Sequence, residues 1–206
     1  PRNTYQQTAK RPSSSGLNSN SGCPINRSIM QKNSVVFLLA FVAIFSACEK
    51  MADVSSPQVY SKNGLSFSYP GNWNITEEEI PGNLGEKTKF LNVESPGDAI
   101  VIICAFDYAS EQSLIEWTRD FSLSMKEEIP FGEVGDAQFS DVTRMGKTGK
   151  IKGIKNKVEL SFLGETVPHV QEFFSLKKQG KTVFIVCQSA EEDLEKTEPA
   201  FRQIVG

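Results

Sequence analysis

Apolar and polar residues alternate along several stretches of the chain after residue 60, as expected of half-buried β-strands. In the first stretch Leu65, Phe67 and Tyr69 alternate with serines, and Pro70-Gly71 ends the run. Residues 99–106 are apolar without interruption, which is typical of a central strand covered on both faces. Further strands are predicted at 72–75, 90–93, 139–145, 148–154, 158–163, 170–178 and 183–187, with turns at 145–146, 155–156 and 179–180.

Two stretches have the spacing of amphipathic helices. The first contains Leu114, Trp117, Phe121, Met125 and Ile129, and Pro130 closes it. Ser113 and Glu116 are spaced as a capping box at its start, as Ser189 and Glu192 are before a second helix near the C-terminus. Pro199 is expected to kink or split that second helix. The order of strands, helix, strands and helix predicts an α+β fold with a mainly antiparallel sheet covered by helices.

Residues 1–29 are rich in Ser, Asn, Arg and Pro and show no periodicity. Such a segment cannot bury enough apolar surface to offset the entropy lost on ordering. The first methionine is Met30, which we interpret as the natural start. We therefore interpret 1–29 as an upstream extension that is either not native or disordered, and leave it out of the fold prediction.

Residues 30–47 have the organisation of a bacterial lipoprotein signal peptide. Lys32 precedes an apolar run over 35–45, which as a helix would be about 16 Å long, against about 30 Å for the hydrocarbon of a bilayer. The sequence that follows resembles a lipobox, with Phe45, Ser46 and Ala47 before Cys48. An ordinary secretory cleavage after Ala47 is the alternative, but it requires a small residue where Phe45 stands.

Cys48 is thus the predicted site of lipid attachment. Two or more acyl chains bury enough CH₂ groups, at about 0.8 kcal/mol each, to hold a soluble domain stably on a membrane. The polar residues that follow predict a flexible tether over 48–60, which could extend to about 40 Å. The folded domain is predicted to span 61–206.

The beginning of this domain, from Gly64 through the Tyr69-Pro70 turn to Trp73, resembles the opening of PsbP-like domains. The stretches 114–117, 183–187 and 195–201 are also similar to that family, so the resemblance covers about residues 60–206. It implies an antiparallel sheet sandwiched between helices, the fold shared with Ran-binding Mog proteins. It also implies a non-enzymatic binding or assembly protein, since the family offers no catalytic residues to transfer. Many bacterial members of the family are lipoproteins.

Charge argues against a nucleic-acid partner. The first 47 residues contain five basic residues and no acid, whereas residues 48–206 contain 17 basic and 25 acidic residues, a net charge of −8. An acidic domain is poorly suited to a phosphate backbone. One stretch departs from this balance and could meet lipid headgroups or an acidic partner, or could simply protect an edge strand. It consists of Arg144, Lys147, Lys150, Lys152, Lys155 and Lys157.

The remaining candidate chemistry is sparse. Cys104 and Cys187 could form a disulfide in an oxidising envelope, or could be small apolar residues of buried strands. His169 is the single histidine, which excludes a metal site with two imidazoles. As a general base it would need an orienting carboxylate, and strand parity places Glu172 on the opposite face, so a surface or capped histidine is favoured. The sequence predicts no metal and no cofactor.

These features together predict a lipid-anchored protein of the bacterial cell envelope, located on the periplasmic or outer face. It would be held on the membrane through acylated Cys48 and would act on an envelope protein partner by binding. Two alternatives stay open at this stage. One is an envelope hydrolase or thiol-dependent enzyme that uses His169 or Cys104 and Cys187. The other is a carrier of a small apolar ligand.

Overall fold

The computed structural model describes residues 49–81, 87–128, 132–146, 149–162 and 164–206. Of these residues, 57% lie in strands and 20% in helices. The strands are β1 (Gln58–Lys62), β2 (Leu65–Tyr69), β3 (Asn74–Pro81), β4 (Lys87–Glu94), β5 (Ile100–Phe106), β6 (Gly132–Val134), β7 (Gln138–Gly146), β8 (Gly149–Phe162), β9 (Glu165–Lys178) and β10 (Lys181–Ala190). The α-helices are α1 (Leu114–Glu128) and α2 (Leu194–Val205), and a 3-10 turn at Glu191–Asp193 precedes α2.

Eight strands form one antiparallel sheet in the order β3-β4-β5-β10-β9-β8-β6, and β7 shares with β6 one edge of β8. Strands β1 and β2 form a separate two-stranded ribbon. The apolar run predicted to be a central strand is β5, which pairs with β4 and β10. Its residues 101–104 are buried, and they include side chains on both faces, as the uninterrupted pattern predicts.

Alternate residues of the central strands belong to two apolar cores on opposite faces of the sheet. On one face Ile102 and Phe184 pack with Trp117 of α1. On the other face Val101 and Ile185 pack in one cluster with α2 and with the β1–β2 ribbon. The period-two geometry of a strand explains this division, because neighbouring side chains point to opposite faces.

The predicted sandwich of a sheet between helices is wrong. The sheet curls into a half barrel, and the structure has two α-helices among its described residues. A helix is about 10 Å in diameter, whereas this sheet is about 30 Å wide at the usual strand spacing. A single helix on a face therefore covers only part of it, and the β1–β2 ribbon covers a further part of the face that α2 contacts.

Several local predictions also require correction. The turn predicted at 155–156 does not exist, because β8 runs unbroken from Gly149 to Phe162 and the buried Asn156 pairs with Gln171. The capping box at Ser113 and Glu116 is confirmed, with the Ser113 amide donating to the Glu116 carboxylate at 2.8 Å. Ser189, by contrast, lies inside β10, and no side-chain cap precedes α2. Pro199 does not split α2, which is continuous.

The segment predicted to form a flexible tether is held on the domain at Glu49 and Ala52. Glu49 is 3% exposed and Ala52 is 6% exposed, and β1 begins at Gln58. We call residues 49–57 the strap. The composition of this segment suggested a tether because it is polar, but the Glu49 carboxylate and the backbone of Ala52 and Asp53 hydrogen-bond to the rest of the domain.

Candidate functional site

Some of the predicted site residues lie outside the described residues. These are Phe45, Ser46, Ala47 and Cys48 of the lipobox-like sequence, and Lys147 of the cationic stretch. The first residue described, Glu49, directly follows the predicted lipidation site in the chain.

The two buried cysteines do not form a disulfide. Cys104 belongs to the core under α1, whereas Cys187 belongs to the core under α2, so their side chains point to opposite faces of the sheet. Both thiols are free, and burial raises the pKa of each. They are therefore protonated at neutral pH, which is unfavourable for a nucleophile. The other interpretation is correct: both cysteines are small apolar residues of buried strands.

The cationic stretch does not form one surface. Along β8 the side chains alternate, so that Lys150 and Lys152 lie on the α1 face while Lys155 and Lys157 lie on the α2 face. Lys157 is moreover paired with Glu191. The sequence suggested a single patch because these cations follow one another along the chain without an acid.

Arg144 is buried, so it is not part of a cationic surface. Its guanidinium pairs with Glu172 at 2.7 Å and with Glu198 of α2 at 2.7 Å, and two of its nitrogens bind the two oxygens of Glu198. The rings of Phe174 and Phe201 lie 5.9 and 6.0 Å from the guanidinium carbon. Arg144 thus joins β7, β9 and α2 in the core, and its role in this structure is to hold α2 on the sheet.

His169 is buried at 1% exposure, so it is not a surface histidine. The prediction of a capped histidine, whose ring is hydrogen-bonded within the protein, fits better. Its Nδ1 lies 3.0 Å from the carbonyl oxygen of Val167. Its Nε2 has no hydrogen-bond partner among the described residues, and the Asp98 carboxylate is 3.8 Å away. Glu172 lies on the other face, as strand parity predicts, and pairs with Arg144.

The carboxylate beside His169 comes from the β4–β5 turn, a segment that the sequence analysis did not single out. Burial, and to a smaller extent the nearby charges of Asp193 and Glu49, raise the pKa of Asp98 to about 6. Burial also lowers the pKa of His169. A group that changes charge near pH 6 therefore lies in the turn that contacts the strap.

Glu49 makes several hydrogen bonds to this turn. One oxygen of its carboxylate accepts hydrogen bonds from the Ser95 hydroxyl at 2.6 Å, the Asp98 amide at 3.1 Å and the Ala99 amide at 3.3 Å. The Ser95 oxygen in turn accepts the amides of Gly97 and Ala99. This hydroxyl is fully engaged in positioning the turn, so it is unsuited to nucleophilic attack.

A strap that begins at Glu49 could not be seen in the sequence. A single Glu in a polar segment has no periodic signal, and its partners lie 46 or more residues away. Gly97 offers one retrospective signal. A side chain there would meet the Glu49 carboxylate oxygen at 2.4 Å and its Cα at 2.8 Å, which only glycine avoids.

Within the described ranges, no group of three or more His, Cys, Asp or Glu side chains is arranged to hold a metal ion. In the same part of the chain, no helix combines the length and the apolar character needed to cross a bilayer.

No protein-family model and no curated protein matches the chain. Similar solved structures include a PsbP from Synechocystis sp. PCC 6803, at 13% identity and a TM-score of 0.45 over 78% of this chain and 95% of that one. A protein of unknown function from Pseudomonas aeruginosa has 14% identity and a TM-score of 0.32, over 71% and 92% of the two chains. LpqN, involved in cell envelope biogenesis of Mycobacterium tuberculosis, has 11% identity and a TM-score of 0.34, over 73% and 81%. The structures to which this chain is similar therefore include a PsbP protein and an envelope protein.

Proposed function

We propose that this chain is a lipid-anchored protein of the bacterial cell envelope that works by binding another envelope protein. The anchor is the acylated thiol of Cys48. The observation that carries the proposal is the sequence before it, in which Lys32, an apolar run of eleven residues and two small residues precede a cysteine. An anchored domain gains a high effective concentration for partners in the same membrane.

The state of the nucleophilic and basic side chains supports binding over catalysis. The thiols of Cys104 and Cys187 are buried and protonated, and the Ser95 hydroxyl is occupied by Glu49 and two amides. His169 is enclosed in the protein. None of these groups is presented to a substrate in solution.

The partner surface that we propose is the α1 face of the β7–β8 hairpin. It exposes Phe139 (48%) and Met145 (69%) of β7 together with Lys150 and Lys152 of β8. Apolar side chains beside cations fit a partner whose contact surface is apolar with acidic residues, since charge complementarity favours encounter and register. Lys155 and Lys157 on the opposite face fall outside this surface.

The anchor is tested by fractionation of cells that express the protein or its Cys48→Ser variant. The wild-type protein should stay with membranes after a carbonate wash, whereas the variant should be released because it has no thiol to acylate. Retention of the variant on membranes would contradict the proposal. The Cys104→Ser variant is the matched control and should behave like the wild type.

The partner surface is tested by crosslinking in intact envelopes. The double variant Lys150→Ala/Lys152→Ala should lose the crosslinked partner, and Lys155→Ala/Lys157→Ala should keep it. Each variant removes two positive charges from β8, so a difference between them reports the face and not the charge. Equal crosslinking by both variants, or loss with the second alone, would overturn the assignment of this face.

A further inference from the structure

The strap is held at its start by a fitted contact between Glu49 and the β4–β5 turn. Three donors converge on one carboxylate oxygen, and the side chain is buried. Gly97 makes room for it, since a Cβ at that position would lie 2.8 Å from both the Glu49 Cα and its carboxylate carbon. Hydrogen bonds to a carboxylate are about twice as strong as those between neutral groups.

A second contact holds the strap four residues further along. The Asp53 amide donates to the Asn72 side chain at 2.8 Å, and the Asp53 carbonyl accepts the Gly71 amide at 2.9 Å. Between the two contacts the Ala52 amide donates to the Lys196 carbonyl of α2 at 3.2 Å, and the Ala52 side chain is buried in the core. Gly71 again leaves no room for a side chain, because a Cβ there would meet the Ser56 carbonyl oxygen at 2.3 Å.

These contacts change the reach of the anchor. A free segment of twelve residues would let the domain move about 40 Å from the bilayer. With the strap held, one peptide bond separates the acylated residue from a residue fixed in the fold. The end of the sheet that contains the β4–β5 turn must then lie at the lipid surface.

We propose that the strap is a membrane-docking element that holds this end of the domain against the headgroup region in one orientation. The inference rests on the proposed lipid anchor at Cys48. Lys50, Met51 and Val54 are exposed on the outer side of the strap, Met51 by 61% and Val54 by 40%. A cation and two apolar side chains beside the acyl chains suit the lipid interface, where the cation meets phosphate and the apolar groups enter the acyl boundary.

The test uses the full acylated protein in vesicles of phosphatidylethanolamine and phosphatidylglycerol that contain a spin-labelled headgroup lipid. The spin label broadens the NMR signals of nearby backbone amides of the protein, and this paramagnetic broadening falls steeply with distance. Gly97 and Ala99 lie at the end of the sheet near the strap, and Gly180 lies at the other end, about 30 Å away along β10. We expect strong broadening at Gly97 and Ala99 and little at Gly180.

Two variants remove the contact between Glu49 and the β4–β5 turn in different ways, and each has a matched control. Glu49→Ala removes the acceptor, and Gly97→Ala fills the space that the acceptor needs, so both should lose the difference in broadening between the two ends of the sheet. Glu49→Gln keeps an acceptor oxygen and should retain the difference. Glu78→Ala, at an exposed glutamate of β3, and Gly135→Ala, at a glycine remote from the strap, should behave like the wild type.

The outcomes separate the two proposals. Acylated wild-type protein with equal broadening at both ends, or Glu49→Ala and Gly97→Ala variants that keep the difference, would overturn the docking element alone. A Cys48 that mass spectrometry shows to be unmodified in the native protein would overturn the anchor and the docking element together.

Discussion

The Ser95 hydroxyl donates a 2.6 Å hydrogen bond to the carboxylate of Glu49, a residue 46 positions earlier in the chain. This contact connects the segment next to the predicted lipidation site with the turn between two strands of the sheet. It explains why a polar segment, which would be a tether in isolation, is part of the fold.

Removing the Glu49 carboxylate should destabilise the domain. The variant Glu49→Ala leaves the Ser95 hydroxyl and the amides of Asp98 and Ala99 without this acceptor. Buried donors that lose their partner cost about 1–3 kcal/mol. Urea denaturation should show that loss in the free energy of unfolding, with Glu78→Ala within about 0.5 kcal/mol of the wild type. Equal stability of the two variants would show that the Glu49 contact contributes nothing to the free energy of unfolding.

Removing Arg144 should have a larger effect. The variant Arg144→Ala leaves the carboxylates of Glu172 and Glu198 without their buried cation, which typically costs about 3–5 kcal/mol. The control is Arg202→Ala, since Arg202 pairs with the same Glu198 but its side chain is 73% exposed, and such pairs contribute about 0–1 kcal/mol. Denaturation midpoints measure both, and similar losses in the two variants would contradict a structural role specific to Arg144.

Asp98 should make stability fall as pH rises towards 6. Its pKa in the folded protein is raised to about 6, so between pH 4 and 6 the folded state binds more protons at this group than the unfolded state does. The Asp98→Asn variant should therefore gain stability over the wild type as pH rises through this window, by up to about 3 kcal/mol, and then keep a constant advantage.

The comparison of Asp98→Asn with the wild type matters because His169 acts in the opposite sense. Its pKa is lowered, so its own contribution to stability is lost as pH falls below about 6.5. Thermal melts of both proteins from pH 4 to 8 isolate the Asp98 contribution as their difference. A difference that does not change with pH would show that Asp98 titrates at its ordinary pKa.

The two cysteines of the sheet should remain thiols even in an oxidising envelope. Cys104 and Cys187 lie on opposite faces and are at most 5% exposed. A thiol reagent should label neither in the native protein and both after denaturation, and a reducing agent should leave the melting temperature unchanged. Recovery of a peptide with Cys104 linked to Cys187 would contradict the structure.

Much of the sheet could be predicted from the sequence because its signal is local. Alternation at Leu65, Phe67 and Tyr69 and the uninterrupted run at 100–106 give the strands directly, and the capping box at Ser113 marks the turn before α1. The arrangement of helices in the predicted sandwich has no such local signal. How much of a sheet two helices cover depends on its width and curl, which no short window of sequence contains.

The polar sites could not be predicted because their partners are distant in sequence. Arg144 stood in a run of cations, and nothing local indicated that Glu172 and Glu198 would bury it. Strand parity did place Glu172 away from His169, but the carboxylate near that histidine, Asp98, comes from a turn 71 residues earlier. Glu49 was missed for the same reason.

The mass of the native protein purified from its own envelope tests the central claim most directly. We expect a chain that begins at Cys48 and whose N-terminal peptide carries the added mass of a diacylglycerol on the cysteine sulfur. A Cys48 with an unmodified thiol, or a chain still continuous through Ala47, would contradict it.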